Sequence, residues 1–169
     1  MSAILIRSAK IPQSALPKTH TDKLDWLRLC RSRRVGPVTF IRLVREHGSV
    51  AAALDVLPSI AAASGVSDYK PMSRSLAEAE YAAGHAIGAE LLFLGAENYP
   101  PRLATIQDPP PVLWALGDPS VALRPSVAFV GARNSSSLGR RMAGKLSQDL
   151  SNEGYVVESG LARGIDAEA

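Results

Sequence analysis

The sequence predicts an α/β protein in which an all-helical bundle precedes the first part of a parallel α/β domain. Apolar residues recur every three or four positions up to about residue 90, which is the period of helices that bury one face. Brief apolar runs bounded by Gly, Pro or Asn follow, and a helical segment separates the last two, as in a strand–helix–strand unit. We therefore expect a flexible tail over residues 1–20, a helical domain over 21–90 and an α/β domain over 91–169.

Composition excludes several classes of protein. The 169 residues are 46% hydrophobic and 21% charged, with a net charge of +3, which is typical of a globular chain rather than a disordered one. No signal peptide is recognisable, and no run approaches the roughly 18 apolar residues of a membrane span, so we expect a soluble protein without membrane contact. The single cysteine, Cys30, cannot form an internal disulfide and has no Cys/His cluster near it. We therefore expect a cytoplasmic protein without a metal site.

The first two helices are expected to form a hairpin. In "TDKLDWLRLCRSRR", Thr21 or Asp22 can cap a helix that ends near Arg34. In "VGPVTFIRLVREHGS", a Gly-Pro turn leads into a second helix that Gly48 closes. The turn resembles the helix-hairpin-helix element of DNA-binding proteins, in which backbone N–H groups bind phosphate. Contact with DNA, contact with a partner protein and a plain connector all stay open.

Three further helices are expected before residue 90. Ser49 can cap a third helix that runs through Leu57, and Pro58 can begin a fourth. Ser75 and Glu78 have the spacing of a capping box for the last one.

Basic residues are concentrated in the helical half. Residues 1–90 hold 12 Lys and Arg against 8 Asp and Glu, whereas residues 91–169 hold 7 against 8. Such a local field favours phosphate over an acidic protein. We therefore treat Arg31, Arg33 and Arg34 as a peripheral DNA-binding track, with a solvated helix face as the alternative.

Four apolar runs predict strands of one sheet that is buried on both faces: "LLFLG", "PVLWALGD", "SVAFVGAR" and "YVVESG". Between the last two, apolar residues at helical spacing predict a helix; they are Leu138, Met142, Leu146 and Leu150. Strands joined by such a helix are parallel, so their carboxyl ends meet at one edge of the sheet, where ligands bind.

The loop after the first of these two strands lies in "VGARNSSSLGRR". Gly131 allows close approach, Arg133 projects from the loop, and Ser135, Ser136 or the serine after them can cap the next helix. Free N–H groups, hydroxyls and a guanidinium together suit an anion. Because Arg133 stands where the dinucleotide fingerprint has its second glycine, no dinucleotide cofactor is expected.

The loop after the second strand lies in "ESGLARGID", which has the same kinds of residue. Its serine, glycine and arginine residues are Ser159, Gly160, Arg163 and Gly164. We expect Asp166 to cap the helix that follows. If the two strands are neighbours, about 4.8 Å apart, the loops form one basic phosphate pocket. We expect no catalytic residue and no cofactor there.

Three motifs in order, "YPPRLATIQDPPPVLWALGD", "VAFVGARNSSSLG" and "SGLARGIDAEA", resemble the DprA/Smf family of DNA-processing proteins. The resemblance covers roughly residues 92–169 and is weaker over the helical half. It implies a SAM-like helical domain joined to a Rossmann-like domain. The family pattern places the DNA pocket on Gly131 and Arg133 and on the four residues of the second loop.

The resemblance also implies a role without catalysis: a mediator of recombination in natural transformation. Its partners would be single-stranded DNA, the RecA recombinase and single-strand-binding protein, and the full-length protein would form a homodimer. Members continue after "GIDAEA", so we expect this chain to be a truncated form. Two alternatives stay open: a nucleotide-binding enzyme related to phosphoribohydrolases, and a helical protein-interaction module.

Overall fold

The computed structural model describes residues 11–169, which form two compact units that divide between Asp118 and Pro119. The first unit holds four helices and two strands: α1 (His20–Arg31), α2 (Pro37–His47), α3 (Val50–Ala63), α4 (Arg74–Ala86), β1 (Ala89–Phe93) and β2 (Val112–Leu116). The second holds β3 (Ser126–Phe129), α5 (Ser137–Asn152), β4 (Val156–Ser159) and α6 (Ile165–Glu168). A helical N-terminal region followed by a small α/β region is the predicted fold class, which is confirmed.

Part of the expected tail is ordered. Residues 1–10 lie outside the described residues, but Ile11 and Ala15 are buried in the core of the first unit. The indole N–H of Trp26 donates a hydrogen bond to the Ala15 carbonyl at 3.1 Å. No sequence pattern predicts this burial, because the apolar residues of the stretch, Ile11, Ala15 and Leu16, follow neither the helical nor the strand period.

Helix α1 begins and ends earlier than predicted. Its N-cap is Thr19, whose hydroxyl accepts from the Asp22 N–H at 3.2 Å, while the Asp22 carboxylate accepts from the Thr19 N–H at 2.8 Å. This reciprocal pair is a capping box. The helix stops at Arg31, and the chain turns through Arg34, whose φ of 65° is left-handed. Bonds from the Lys18 and Thr19 N–H groups lower the pKa of Asp22.

Helices α3 and α4 also differ from their predicted bounds. Pro58 begins no helix; it lies inside α3, which continues to Ala63. Burial of Leu54 and Leu57 on one side of the proline and packing of Ile60 on the other offset the lost hydrogen bond. Helix α4 is capped by Ser73, whose hydroxyl accepts from the N–H of the residue three positions on.

The core of the first unit joins its helices to its strands. The Trp26 ring lies 5.0 Å from that of Phe40 on α2 and 5.4 Å from that of Phe93 on β1. Leu24 and Leu27 are fully buried beside it. The first unit therefore includes β1 and β2, whereas the sequence pattern predicts an α/β domain from residue 91.

The strands form two small sheets rather than one sheet of four. Strands β1 and β2 pair antiparallel, from Ala89 opposite Leu116 to Phe93 opposite Val112, whereas β3 and β4 pair parallel. The connection between β1 and β2 contains only a short 3₁₀ turn. Without a crossover helix, the second strand runs back along the first, which gives the antiparallel arrangement.

The apolar stripe that predicted α5 faces outward in the described structure. Leu138, Met142 and Leu146 are 61%, 51% and 47% exposed, whereas Ala143 and Ser147 are buried. In the described chain α5 packs against β4 and α6 through the face that carries Ala143 and Ser147, so its apolar stripe lies on the uncovered side.

One polar network ties α1, α4 and β2 together. Arg31 on α1 donates from Nη2 to Oε1 of Glu80 on α4 at 2.9 Å and from Nε to Oε2 at 3.1 Å, and Oε1 also accepts from the Trp114 indole on β2 at 3.0 Å. Gly84 leaves room for that indole, since a Cβ there would lie 2.3 Å from the ring. Partial burial alone would raise the pKa of Glu80, but the bonds from Arg31 and Trp114 outweigh it, and the pKa is lowered.

We expect Glu80→Gln to destabilise the first unit by about 1–2 kcal/mol at pH 7, because the charged pair is lost while an acceptor for the indole stays. A lowered folded-state pKa means that the carboxylate stabilises the fold above its ordinary pKa of 4.5 and loses this effect as pH falls through the folded value. The wild-type advantage in urea unfolding, followed by tryptophan fluorescence, should therefore shrink as pH falls below about 4.5.

Glu78→Gln is the matched control, because Glu78 lies on the same helix and pairs with Arg74 at 3.0 Å, but both side chains are about half exposed. It should cost less than about 0.5 kcal/mol. An equal loss for the two variants, or a difference for Glu80 that does not change with pH, would contradict the assignment.

Candidate nucleic-acid interface

Strands β3 and β4 bring the two candidate loops side by side. The strands pair in parallel from Ser126 opposite Val156 to Phe129 opposite Ser159, so both carboxyl ends lie at the same edge. The first loop is residues 130–136, between β3 and α5, and the second loop is residues 160–164, between β4 and α6. The predicted parallel strand–helix–strand unit is therefore present.

Direct contacts lock the two loops to each other. The Gly131 N–H of the first loop donates to Oδ1 of Asp166 at 3.1 Å, and the Ile165 N–H donates to the carbonyl of Ala132 at 3.2 Å. Asp166 is only 9% exposed. It was expected to cap α6, but the N-cap position is Gly164, and Asp166 lies within the helix with its carboxylate turned to the first loop.

Glycine is required where the loops touch. Gly164 has φ 98°, and a Cβ there would lie 2.2 Å from the Ala132 carbonyl oxygen. A Cβ at Gly131 would lie 2.5 Å from Cβ of Ile165, and one at Gly160 would lie 3.1 Å from Oδ2 of Asp166. Gly164 therefore serves the packing of one loop against the other, and Gly131 and Gly160 make room for the first turn of α6. The Gly131 N–H is already bound, so it is not free for a phosphate.

The two arginines of these loops carry unpaired charge. Arg133 and Arg163 are both exposed, and within residues 11–169 neither guanidinium has an ion pair or a hydrogen bond. The nearest paired arginine in sequence, Arg140 on α5, has a loose contact of 3.9 Å with Glu168. Two unpaired guanidinium groups on loops that are held together suit an anionic ligand.

The serines of the site divide into two kinds. Ser136 is the N-cap of α5, and its hydroxyl accepts from the Gly139 N–H at 3.1 Å. The Oγ atoms of Ser135 and Ser159 are buried without a protein hydrogen-bond partner in the described chain. A ligand can reach these two hydroxyls only if the loops shift, whereas the hydroxyl of Ser136 is used by the helix.

The second loop contains one residue with an unusual backbone conformation that the sequence does not predict. Leu161 has φ 51°, in the left-handed region, and its side chain is 86% exposed. A non-glycine residue there is strained, and such strain is often found at functional loops. A leucine between a glycine and an alanine gives no signal of this conformation in the sequence.

The predicted peripheral track is split by the structure. Arg31 is held by Glu80, so its charge is largely neutralised. Arg33 and Arg34 are exposed at the turn between α1 and α2, and within residues 11–169 neither forms an ion pair. Arg33 instead stacks over the Tyr69 ring, with its guanidinium carbon 5.9 Å from the ring centroid.

Few aromatic side chains are available for stacking on bases. Tyr99 is buried, which raises its pKa to about 12, and its hydroxyl donates to the Pro110 carbonyl at 2.8 Å. Trp114 is held against Glu80, and Phe129 is half-buried in β3. Among the described residues, no group of three or more His, Cys, Asp or Glu could hold a metal ion, and no helix is long and apolar enough to cross a membrane.

The fold and loops define a class of protein in which a helical N-terminal region precedes an α/β unit whose arginine-bearing loops meet at one sheet edge. A family model described as the DprA-like N-terminal HHH domain matches residues 20–83, and one described as DNA recombination-mediator protein A matches residues 90–169. The chain belongs to the DprA/Smf family of DNA-processing proteins.

Curated relatives match part of the chain. The DNA processing protein DprA of Bacillus subtilis (strain 168) is 35% identical over 80 residues, which is 47% of this chain and 27% of that protein. Protein Smf of Synechocystis is 43% identical over 76 residues, which is 43% of this chain and 19% of that protein. The matched segment therefore makes up about a quarter or less of each of these relatives.

A solved structure shares the fold. The X-ray structure of DNA processing protein A from Streptococcus pneumoniae aligns with 91% of this chain and 53% of its own, with a TM-score of 0.55 and 24% sequence identity. At this identity the likeness shows the fold alone.

We expect Gly164→Ala to destabilise the second unit by more than about 2 kcal/mol, because the added methyl group combines a strained φ with a backbone clash. Gly154→Ala is the matched control: its φ is also positive, at 88°, but a Cβ there meets nothing within 4 Å, so it should cost only about 1 kcal/mol. Hydrogen exchange of the β3 and β4 amides measures both. Equal losses would show that contact between the loops contributes little.

Proposed function

We propose that this chain contributes the phosphate-binding part of a protein that binds single-stranded DNA. The observation that carries the proposal is the pair of unpaired arginines, Arg133 and Arg163, on two loops that are fixed to each other at the ends of adjacent parallel strands. The names of the relatives, DNA processing protein and DNA recombination-mediator protein A, support DNA as the ligand.

The binding site combines the two loops. Arg133 and Arg163 neutralise phosphates, and Ser136 orients the N-terminus of α5. The hydroxyls of Ser135 and Ser159 are buried and add hydrogen bonds only if the loops open when DNA binds. Gly164 allows the two loops to approach closely, and Gly131 and Gly160 allow α6 to pack beside them. The buried carboxylate of Asp166 repels phosphate, so binding depends on the positive charge of the two arginines.

Selectivity for single strands follows from shape. A flexible strand can bend its phosphates toward two adjacent loops, whereas a duplex holds its phosphates in fixed rows. Because Tyr99 and Trp114 are held by contacts within the protein, affinity rests on phosphate contacts and is strongly salt-dependent. Contacts of this kind read no base sequence.

The role of the whole protein is proposed on the same basis. It acts without catalysis in a cytoplasmic recombination process, as a homodimer that holds incoming single-stranded DNA and loads the RecA recombinase onto it. Single-strand-binding protein is a further proposed partner. The family description as a recombination mediator supports this role.

We expect Arg133→Ala and Arg163→Ala each to weaken binding of a fluorescein-labelled dT20 oligonucleotide, and each to reduce the slope of log K against log salt by about 0.7. Arg141→Ala is the control, because Arg141 is exposed on α5 and also lacks a partner within residues 11–169. The measurement is fluorescence anisotropy of the full chain over a series of salt concentrations, with a 20-base-pair duplex in parallel.

Three results would count against the proposal. The double variant could bind dT20 with unchanged affinity and slope, Arg141→Ala could weaken binding as much as the loop variants, or the duplex could bind more tightly than the single strand. Saturable binding of a mononucleotide with hydrolysis would instead favour the nucleotide-processing alternative.

A further inference from the structure

A cleft of about 190 Å³ lies in the helical unit, beside the turn between α1 and α2. Its floor is aliphatic and includes Leu57, Ile60 and Val66. Three arginines stand among its lining residues: Arg33, Arg34 and Arg42. The cleft therefore combines an apolar depression with cationic side chains at its rim. The proposed DNA site on the two loops does not use this combination.

The wall of the cleft is fixed by internal contacts. The Tyr69 hydroxyl donates to the Arg33 carbonyl at 2.5 Å, which ties the segment after α3 to the turn between α1 and α2. Tyr69 is 8% exposed and Leu57 is 5% exposed. The cleft is therefore largely formed before any ligand binds, which reduces the entropy that a ligand must lose to order it.

The rim has a strong positive bias. Arg34 has no ion pair or hydrogen bond in the part of the chain described, and Arg33 contacts only the Tyr69 ring through its guanidinium. Arg42 meets Glu46 at 3.3 Å, but both side chains are about half exposed, so this pair is weak. No carboxylate occurs among the lining residues of the cleft.

We propose that this cleft binds a short acidic peptide segment of a partner protein, which places one apolar side chain on the aliphatic floor and its carboxylates against Arg33, Arg34 and Arg42. Guanidinium groups bind carboxylates bidentately. Burial of an apolar side chain on the aliphatic floor adds favourable free energy. The volume is below the roughly 300–1,000 Å³ of small-molecule pockets, which suits one side chain of a longer ligand.

DNA fits the cleft less well. A phosphate backbone would contact the arginines but would leave the aliphatic floor of Leu57, Ile60 and Val66 without an apolar group to bury. A base cannot stack on Tyr69, because that ring is buried and has Arg33 over it. The peripheral DNA track expected from the sequence is therefore the competing outcome of the test.

The probe is a fluorescein-labelled peptide, Asp-Asp-Leu-Asp-Asp, measured by fluorescence anisotropy with the full chain. Two matched peptides separate the parts of the proposal: Asp-Asp-Gly-Asp-Asp lacks the apolar side chain, and Asn-Asn-Leu-Asn-Asn lacks the charge. We expect saturable binding of the first peptide and at least fivefold weaker binding of the other two.

Two kinds of variant locate the binding. The double variant Arg33→Ala with Arg34→Ala should lower the affinity for the acidic peptide about tenfold, and Ala61→Leu, which adds bulk to the lining without changing charge, should also weaken it. Arg74→Ala, on α4 outside the cleft, is the control for loss of a positive charge elsewhere in the helical unit and should leave the affinity unchanged. Thermal unfolding of each variant confirms that it is folded.

The proposal is overturned if the acidic peptide does not saturate, if the leucine and glycine peptides bind equally, or if the double arginine variant loses affinity for dT20 but not for the peptide. The last result would restore the DNA track. The double variant at Arg133 and Arg163 should bind the peptide normally, so failure here leaves the proposed function of the two loops untouched.

Discussion

The close approach of two backbone loops is the constraint on which the candidate site depends. Gly164 lies so near the carbonyls of Ala132 and Arg133 that no side chain fits between them, and the Asp166 carboxylate holds the Gly131 N–H from the other side. Both loops follow strands that are paired in parallel, so the sheet and the loops fix the same geometry. The arginines project from a base whose position is determined by these contacts.

Some arginines of this chain are held in ion pairs within the protein, and others keep a charge that a ligand can use. Arg28 pairs with Asp25 at 2.8 Å and Arg31 with Glu80 at 2.9 Å, and both contacts lie within the helical unit. Arg133 and Arg163, by contrast, lack such partners in the described chain. A count of basic residues along the sequence cannot make this distinction, because Arg31 and Glu80 are separated by 49 positions.

Local patterns predicted what depends on local physics. The alternation of short apolar runs with one helical segment gave the unit from β3 to β4, and the serines before Leu138 gave the cap of α5. Features that depend on distant contacts were not predictable. The role of Asp166 depends on a residue 35 positions away, and the antiparallel pairing of β1 with β2 depends on a connection without a helix.

The position of the tryptophans has a practical consequence. Both tryptophans of the chain, Trp26 and Trp114, lie in the first unit, where one is buried and the other is bonded to Glu80. Intrinsic emission excited at the indole band therefore reports on the helical unit, while the unit that carries the two loops is optically silent at that wavelength. Because both native indoles would still emit, a tryptophan introduced near the loops would report on the second unit as the difference between its signal and that of the unmodified chain.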